Sequence, residues 1–168
     1  MTTLYLVRHG ETVDNARQIM QGQTPGELNA NGVAQALQLA ERLAGKSIDA
    51  FVSSDLYRAV QTCRILAAPF HQEVVETPLL RERDWGDFTG EFIPDLADRV
   101  WPDNVETLES MLSRARNFLT WIRVTYPEST VLAVGHGIIN KAVQSVFFRK
   151  PMSEIPRMDN AEVRMLVL

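Results

Sequence analysis

Cysteine is nearly missing from this chain: one residue, Cys63, in 168. A lone cysteine cannot close an internal disulfide, and nothing around it has metal-ligand spacing. It sits in an apolar helical stretch and reads as a packing residue. Histidine is also sparse, with three residues. Basic blocks are absent: 17 Lys and Arg stand against 21 Asp and Glu, a net charge of −4. That balance excludes a nucleic-acid partner or an anionic membrane surface as the expected target. No apolar run approaches the roughly 20 residues needed to span a bilayer. Arg8 and Glu11 interrupt any apolar leader core, so no signal peptide is expected. Repeats, linkers and low-complexity segments are missing too. A single domain over residues 1–168, in a reducing, cytoplasmic setting, is the expectation. Neither monomer nor homodimer is singled out.

Short apolar runs bounded by turns are present, alternating with helical patterns. Thr3–Val7 reads as a buried strand, with Leu4-Tyr5-Leu6-Val7 at its centre. Residues 13–30 are polar and contain glycine, which predicts a long loop over the strand end. A helix follows from Asn31 to about Leu43, with Val33, Ala36, Leu37, Ala40 and Leu43 on one face, stopping at Gly45. Ala50–Ser53 is a second strand. Ser54 or Asp55 then caps a helix to about Ala68, ended by Pro69. Glu73–Glu76 is an edge or third strand. Asp103 and Glu106 fit a capping box for a helix to about Val124. Val131–Val134 is another apolar strand, a helix begins at Ile138 and runs to about Phe148, and Val163–Leu168 closes the chain as a strand. The alternation predicts an α/β three-layer sandwich with a mostly parallel central sheet flanked by helices.

Chemistry gathers at two strand ends. His9 follows Arg8 after the first strand, and His136 follows Gly135 after Val131–Val134. Each histidine precedes a glycine. In a parallel sheet both lie on one edge, where ligands of open α/β sheets bind. Arg8 supplies a forked cation suited to phosphate. Arg58 stands in the first turn of its helix, against the helix dipole, and that local violation points to an anion nearby. The helix after Gly137 offers backbone N–H donors as an anion cradle. These features describe a phosphate site. A metal site is disfavoured: no third ligand is in register, His71 falls in a surface turn, and adjacent arginines repel a cation. No Gly-x-Ser-x-Gly elbow marks a serine nucleophile.

Arg8-His9-Gly10-Glu11-Thr12, Ser53-Ser54-Asp55-Leu56-Tyr57-Arg58-Ala59, Leu80-x-Glu82-x-x-x-Gly86 and Gly135-His136-Gly137 resemble the motifs of the histidine phosphatase superfamily, in its cofactor-dependent phosphoglycerate mutase-like branch. The resemblance runs from the first strand to the last. It implies that His9 attacks phosphorus and becomes phosphohistidine. It further implies that Arg8, Asn15, Arg58, His136 and Gly137 hold the phosphoryl oxygens, and that Glu82 protonates the leaving oxygen and then activates water. Thr12, Gln21 and Gly22 fall on the substrate side. The implied activity is metal-independent hydrolysis of a small or peptide-borne phosphomonoester, with no cofactor. A phosphomutase and a phosphate-binding module without turnover are the alternatives.

Residues 83–106 correspond to a short substrate lid. They hold seven acids, Asp84, Asp87, Glu91, Asp95, Asp98, Asp103 and Glu106, against two bases, Arg83 and Arg99. An acidic lid is expected to repel a second phosphate or carboxylate, which argues against mutase chemistry. Trp85, Phe88, Phe92 and Trp101 are expected either to pack an apolar leaving group or to form the lid's own core.

Overall fold

The computed structural model describes residues 1–168. Five strands form one sheet: β1 (Thr3–Arg8), β2 (Ala50–Ser54), β3 (Val74–Thr77), β4 (Thr130–Gly135) and β5 (Val163–Val167), in the order β3-β2-β4-β1-β5. All neighbours are parallel except β5, which runs antiparallel to β1 at the edge. β1 and β4 are buried on both faces, which is why their sequences are continuous apolar runs instead of alternating ones. Their register pairs Leu4 with Val131 and Arg8 with Gly135. The residues after those last partners are His9 and His136. Strand pairing therefore joins two histidines that lie far apart along the chain.

Five helices cover the sheet: α1 (Val13–Arg17), α2 (Ala30–Leu43), α3 (Tyr57–Ala67), α4 (Leu108–Thr125) and α5 (Gly137–Phe148). On one face Met111, Ala115, Phe118, Leu119 and Ile122 of α4, with Ile139, Ala142 and Val143 of α5, pack on Leu4, Leu6, Val131 and Ala133. On the other, α2 and α3 bury Leu39, Leu43, Ala59, Cys63 and Leu66 against Val7, Phe51, Leu132 and Val134. The three-layer sandwich is the one expected from the sequence. Cys63 is a core residue; burial pushes its thiol up, and its Sγ donates to the Val52 carbonyl at 3.5 Å. No helix is long and apolar enough to cross a membrane.

Several local expectations are corrected. Residues 13–30 are not all loop, because α1 stands at their start. Thr12 Oγ1 accepts from Asn15 N at 2.8 Å, and Asn15 Oδ1 accepts from Thr12 N at 3.1 Å. This is a capping box with Asn in place of Glu. In α2 the buried stripe is Gly32, Ala36, Leu39, Ala40 and Leu43, and Leu37 is 53% exposed. The stripe turns because Gly32 rests on the Glu11 backbone; a methyl there would stand 2.0 Å from the Glu11 carbonyl. Neither Ser54 nor Asp55 is the cap of α3. Leu56 holds that position, Ser54 Oγ accepts from Leu56 N at 3.2 Å, and Asp55 takes a two-pronged ion pair with Arg81 at 2.7 and 2.6 Å. The capping box at Asp103 and Glu106 does not form. Thr107 caps α4, accepting from Ser110 N at 3.1 Å. Glu106 is drawn instead to Arg114, with contacts of 2.9 and 3.0 Å, because a guanidinium offers a charged fork where a backbone N–H offers one neutral donor.

Candidate active site

A cavity of about 300 Å³ opens over the carboxyl ends of β1 and β4. Arg8, His9, Asn15, Arg58, Glu82 and Gly137 all reach its wall. The ring of His9 meets that of His136 edge to face, with centroids 5.0 Å apart. His9 Nδ1 lies 2.7 Å from the carbonyl oxygen of Gly10. A carbonyl only accepts, so Nδ1 carries the proton and Nε2 keeps its lone pair. The sequence left the partner of His9 unnamed; it is the next residue's own carbonyl. Gly10 is required there, since an added Cβ would sit 2.6 Å from the Gly32 carbonyl.

Arg58 is 1% exposed. Its guanidinium donates to the carbonyls of Thr24, Pro25 and Gly22, the last at 2.8 Å. Those loop carbonyls offset the unfavourable place of a cation in the first turn of α3. Gly22 turns its carbonyl there through a left-handed conformation, φ +52°. Burial pulls Arg58 down to about 10, so it stays charged at neutral pH. Arg8 donates Nη1 to the Met158 carbonyl at 2.8 Å. Asn15 commits Oδ1 to the α1 cap, which leaves its NH₂ group for an anion.

Four buried side-chain polar atoms have no partner within the protein: Arg8 Nε, Arg58 Nε, His136 Nδ1 and Asn140 Oδ1. Three of these four belong to residues around His9. Buried polar groups are otherwise almost always paired. A phosphoryl group carries oxygens enough to satisfy all three.

Glu82 occupies the place expected for an anion cradle. Its carboxylate accepts from Ile138 N and Ile139 N, both at 3.1 Å, and from Arg83 N at 2.9 Å. The N-terminus of α5 therefore holds the protein's own carboxylate beside the cavity, not the phosphate. Gln21 and Gly22 line the cavity, but Thr12 does not. Thr12 is fully buried, capping α1 and donating to Gln21 Oε1 at 3.0 Å, so its role is to hold the loop.

The seven lid acids also stand elsewhere. None lines the cavity. Asp84 accepts from Gly86 N, Asp87 from the Asn104 amide, and Glu91 pairs with Arg99. Trp85 alone of the lid aromatics reaches the cavity; it packs on Trp101, with the Arg83 guanidinium 4.8 Å over the Trp85 ring and 5.0 Å over the Trp101 ring. Beyond Arg8, Arg58 and Glu82, the charged residues on the cavity wall are Lys141 and Arg157, which the sequence reading missed. Lys141 lies one helical turn after Gly137, so counting on from the strand end would have found it. Arg157 had no local signal. The lid therefore contributes no carboxylate to the cavity wall.

Burial pushes both imidazoles well below the ordinary histidine value, and the charge of Arg58 pushes the same way. The unfolded chain binds those protons near pH 6.5 and the folded chain does not. Stability from these groups is complete above about pH 6.5 and is lost as pH falls below it. Asp55, held down by Arg81, and Glu106, which burial raises but Arg114 lowers further, act only at more acid pH. The midpoint of urea unfolding should therefore drop between pH 7 and pH 5.5. An unchanged midpoint would contradict the burial of neutral histidines.

The family description "Histidine phosphatase superfamily (branch 1)" matches residues 4–168. Over 141 residues the chain is 40% identical to the uncharacterized phosphatase PhoE of Bacillus subtilis (strain 168), spanning 82% of this chain and 72% of that protein. It is 38% identical over 152 residues to the probable phosphoglycerate mutase GpmB of Proteus mirabilis (strain HI4320), spanning 82% and 71%. The fold superposes on a mycobacterial glucosyl-3-phosphoglycerate phosphatase with a TM-score of 0.90 and 28% identity, covering 98% of this chain and 92% of the other.

Proposed function

Because this chain belongs to the histidine phosphatase superfamily, we propose that it hydrolyses phosphomonoesters without a metal, through a phosphohistidine at His9. The observation that carries this reading is His9 itself. Its Nδ1 is tied to the Gly10 carbonyl, so a bare Nε2 is available among Arg8, Arg58 and Glu82.

Phosphoryl transfer needs in-line positioning and neutralisation of equatorial charge more than covalent assistance. His9 Nε2 forms a bond to phosphorus while the P–O bond to the alcohol breaks. Glu82, in its acid form, gives its proton to the departing oxygen. A water then enters, loses a proton to Glu82, and attacks the phosphohistidine; inorganic phosphate leaves and His9 is restored. Arg8 and Arg58 neutralise the oxygens throughout. The same cationic wall disfavours a metal ion at this place.

Lys141 and Arg157 support a leaving group that itself carries an anion. The naming of the mycobacterial neighbour as a phosphatase of a phosphorylated acid agrees with that charge. A phosphomutase remains the second reading, favoured by the GpmB relative and by the same two cations.

The test is phosphate release in EDTA from esters with and without a second anionic group, together with trapping of an acid-labile phosphoenzyme. Release that survives EDTA, with a trapped phosphoenzyme, is the expected result. Loss of activity in EDTA would refute the metal-free route. Isomerised product in the presence of a bisphosphorylated primer would establish the mutase.

A further inference from the structure

We infer that Ser54 is a positioning residue that sets the tautomer of His136, so that the neutral imidazole presents Nδ1–H to a phosphoryl oxygen. The inference rests on the phosphate reading of the cavity and specifies how His136 serves it.

Both residues are fully buried. Ser54 ends β2, which pairs with β4 through Ser53 and Val134, so its hydroxyl arrives beside the residue that follows β4. Ser54 Oγ stands 2.8 Å from His136 Nε2. The same oxygen accepts from Leu56 N at 3.2 Å. Those two contacts complete its partners, so the hydroxyl hydrogen has one acceptor within reach: the ring nitrogen Nε2. An O–H donated to Nε2 requires a lone pair there. The ring proton of the neutral imidazole must then sit on Nδ1. The opposite tautomer strands the Ser54 hydrogen without a partner in a dry site, which costs roughly 1–3 kcal/mol.

His136 Nδ1 is the atom without a protein partner, together with Arg8 Nε and Arg58 Nε. With the proton on Nδ1, all three are donors. The site thus offers a consistent set of N–H groups to an anion. It does so while the surroundings keep His136 uncharged. A fixed neutral tautomer lets His136 donate to an oxygen without carrying a charge. The arrangement mirrors His9 with opposite purpose. The Gly10 carbonyl accepts from Nδ1–H of His9 and leaves Nε2 bare for attack, whereas Ser54 covers Nε2 of His136 and leaves Nδ1–H for binding.

Two-bond ¹H–¹⁵N spectra of ¹⁵N-histidine protein separate the tautomers without any need for turnover. His71→Asn removes the exposed imidazole, and loss of one pattern in His9→Ala assigns the other to His136. The expected wild-type pattern is Nδ1–H for both buried rings. Ser54→Ala should convert only His136 to an Nε2–H or mixed pattern and lower kcat/KM about 10- to 100-fold, the worth of one hydrogen bond to a charged group. Ser54→Thr, which keeps the hydroxyl, should retain the Nδ1–H pattern. A wild-type His136 with bare Nδ1 overturns the inference even if Ser54→Ala does not fold. An unchanged His136 pattern in folded Ser54→Ala overturns it as well. Wild-type protein with the expected tautomers and no phosphatase activity would refute the hydrolase reading and leave this one standing.

Discussion

His9→Ala should release phosphate from no ester, with a fall of about 10⁴-fold or more in kcat. The cavity holds no serine or cysteine that could replace the lost nucleophile. His136 is not a substitute, because its Nε2 is hydrogen-bonded to Ser54. The phosphoenzyme should disappear with the activity. Phosphate binding should survive, since Arg8, Arg58 and Asn15 keep their contacts to carbonyls and to the α1 cap. Added imidazole should restore part of the turnover, because the deleted ring leaves a space of its own shape between Gly10 and His136. Turnover within about tenfold of wild type would remove His9 from the mechanism. A variant that also fails to bind phosphate would point to collapse of the site; urea unfolding distinguishes that outcome.

Glu82→Gln should slow hydrolysis of alkyl phosphates about 10²- to 10⁴-fold, and slow activated aryl phosphates much less. An alkoxide needs a proton as it departs, whereas a nitrophenolate does not. The amide preserves the size of the side chain and one oxygen for the N–H groups of Ile138 or Ile139. It cannot deliver or accept the proton. With aryl esters, attack of water on the phosphoenzyme becomes the slow step, so a burst of phenolate should precede slow turnover. Equal slowing of both ester classes without a burst would mean that Glu82 acts only as a strut on the N-terminus of α5. That alternative is concrete, since three backbone N–H groups hold the carboxylate there.

The two strand-end histidines and both arginines were legible in the sequence because each signal is local. A run such as Leu4–Val7 identifies a strand buried on both faces, and whatever follows it lies at the sheet's functional edge. The helix ending near Val124, observed as α4, was legible for the same reason, as a 3.6-residue period needs no knowledge of the partner. The helix caps failed where a charged side-chain partner outcompeted the backbone donors of the helix end. Glu106 left the α4 cap for Arg114, and Asp55 left the α3 cap for Arg81. The lid acids misled because composition counts charge without saying which way it faces.

What the sequence determined by itself was therefore the order of strands and helices, the edge that carries the chemistry and the residue types gathered there. Those follow from periodicity, backbone restriction and the end of each apolar run. Only the tertiary structure decided that β2 lies beside β4, which brings Ser54 to His136, that α5 offers its N-terminus to Glu82, and that Lys141 and Arg157 face the cavity. Hydrogen-bond partners and cavity walls are chosen by distance in space. That distance is set by sheet order and helix packing, which no stretch of the chain encodes alone.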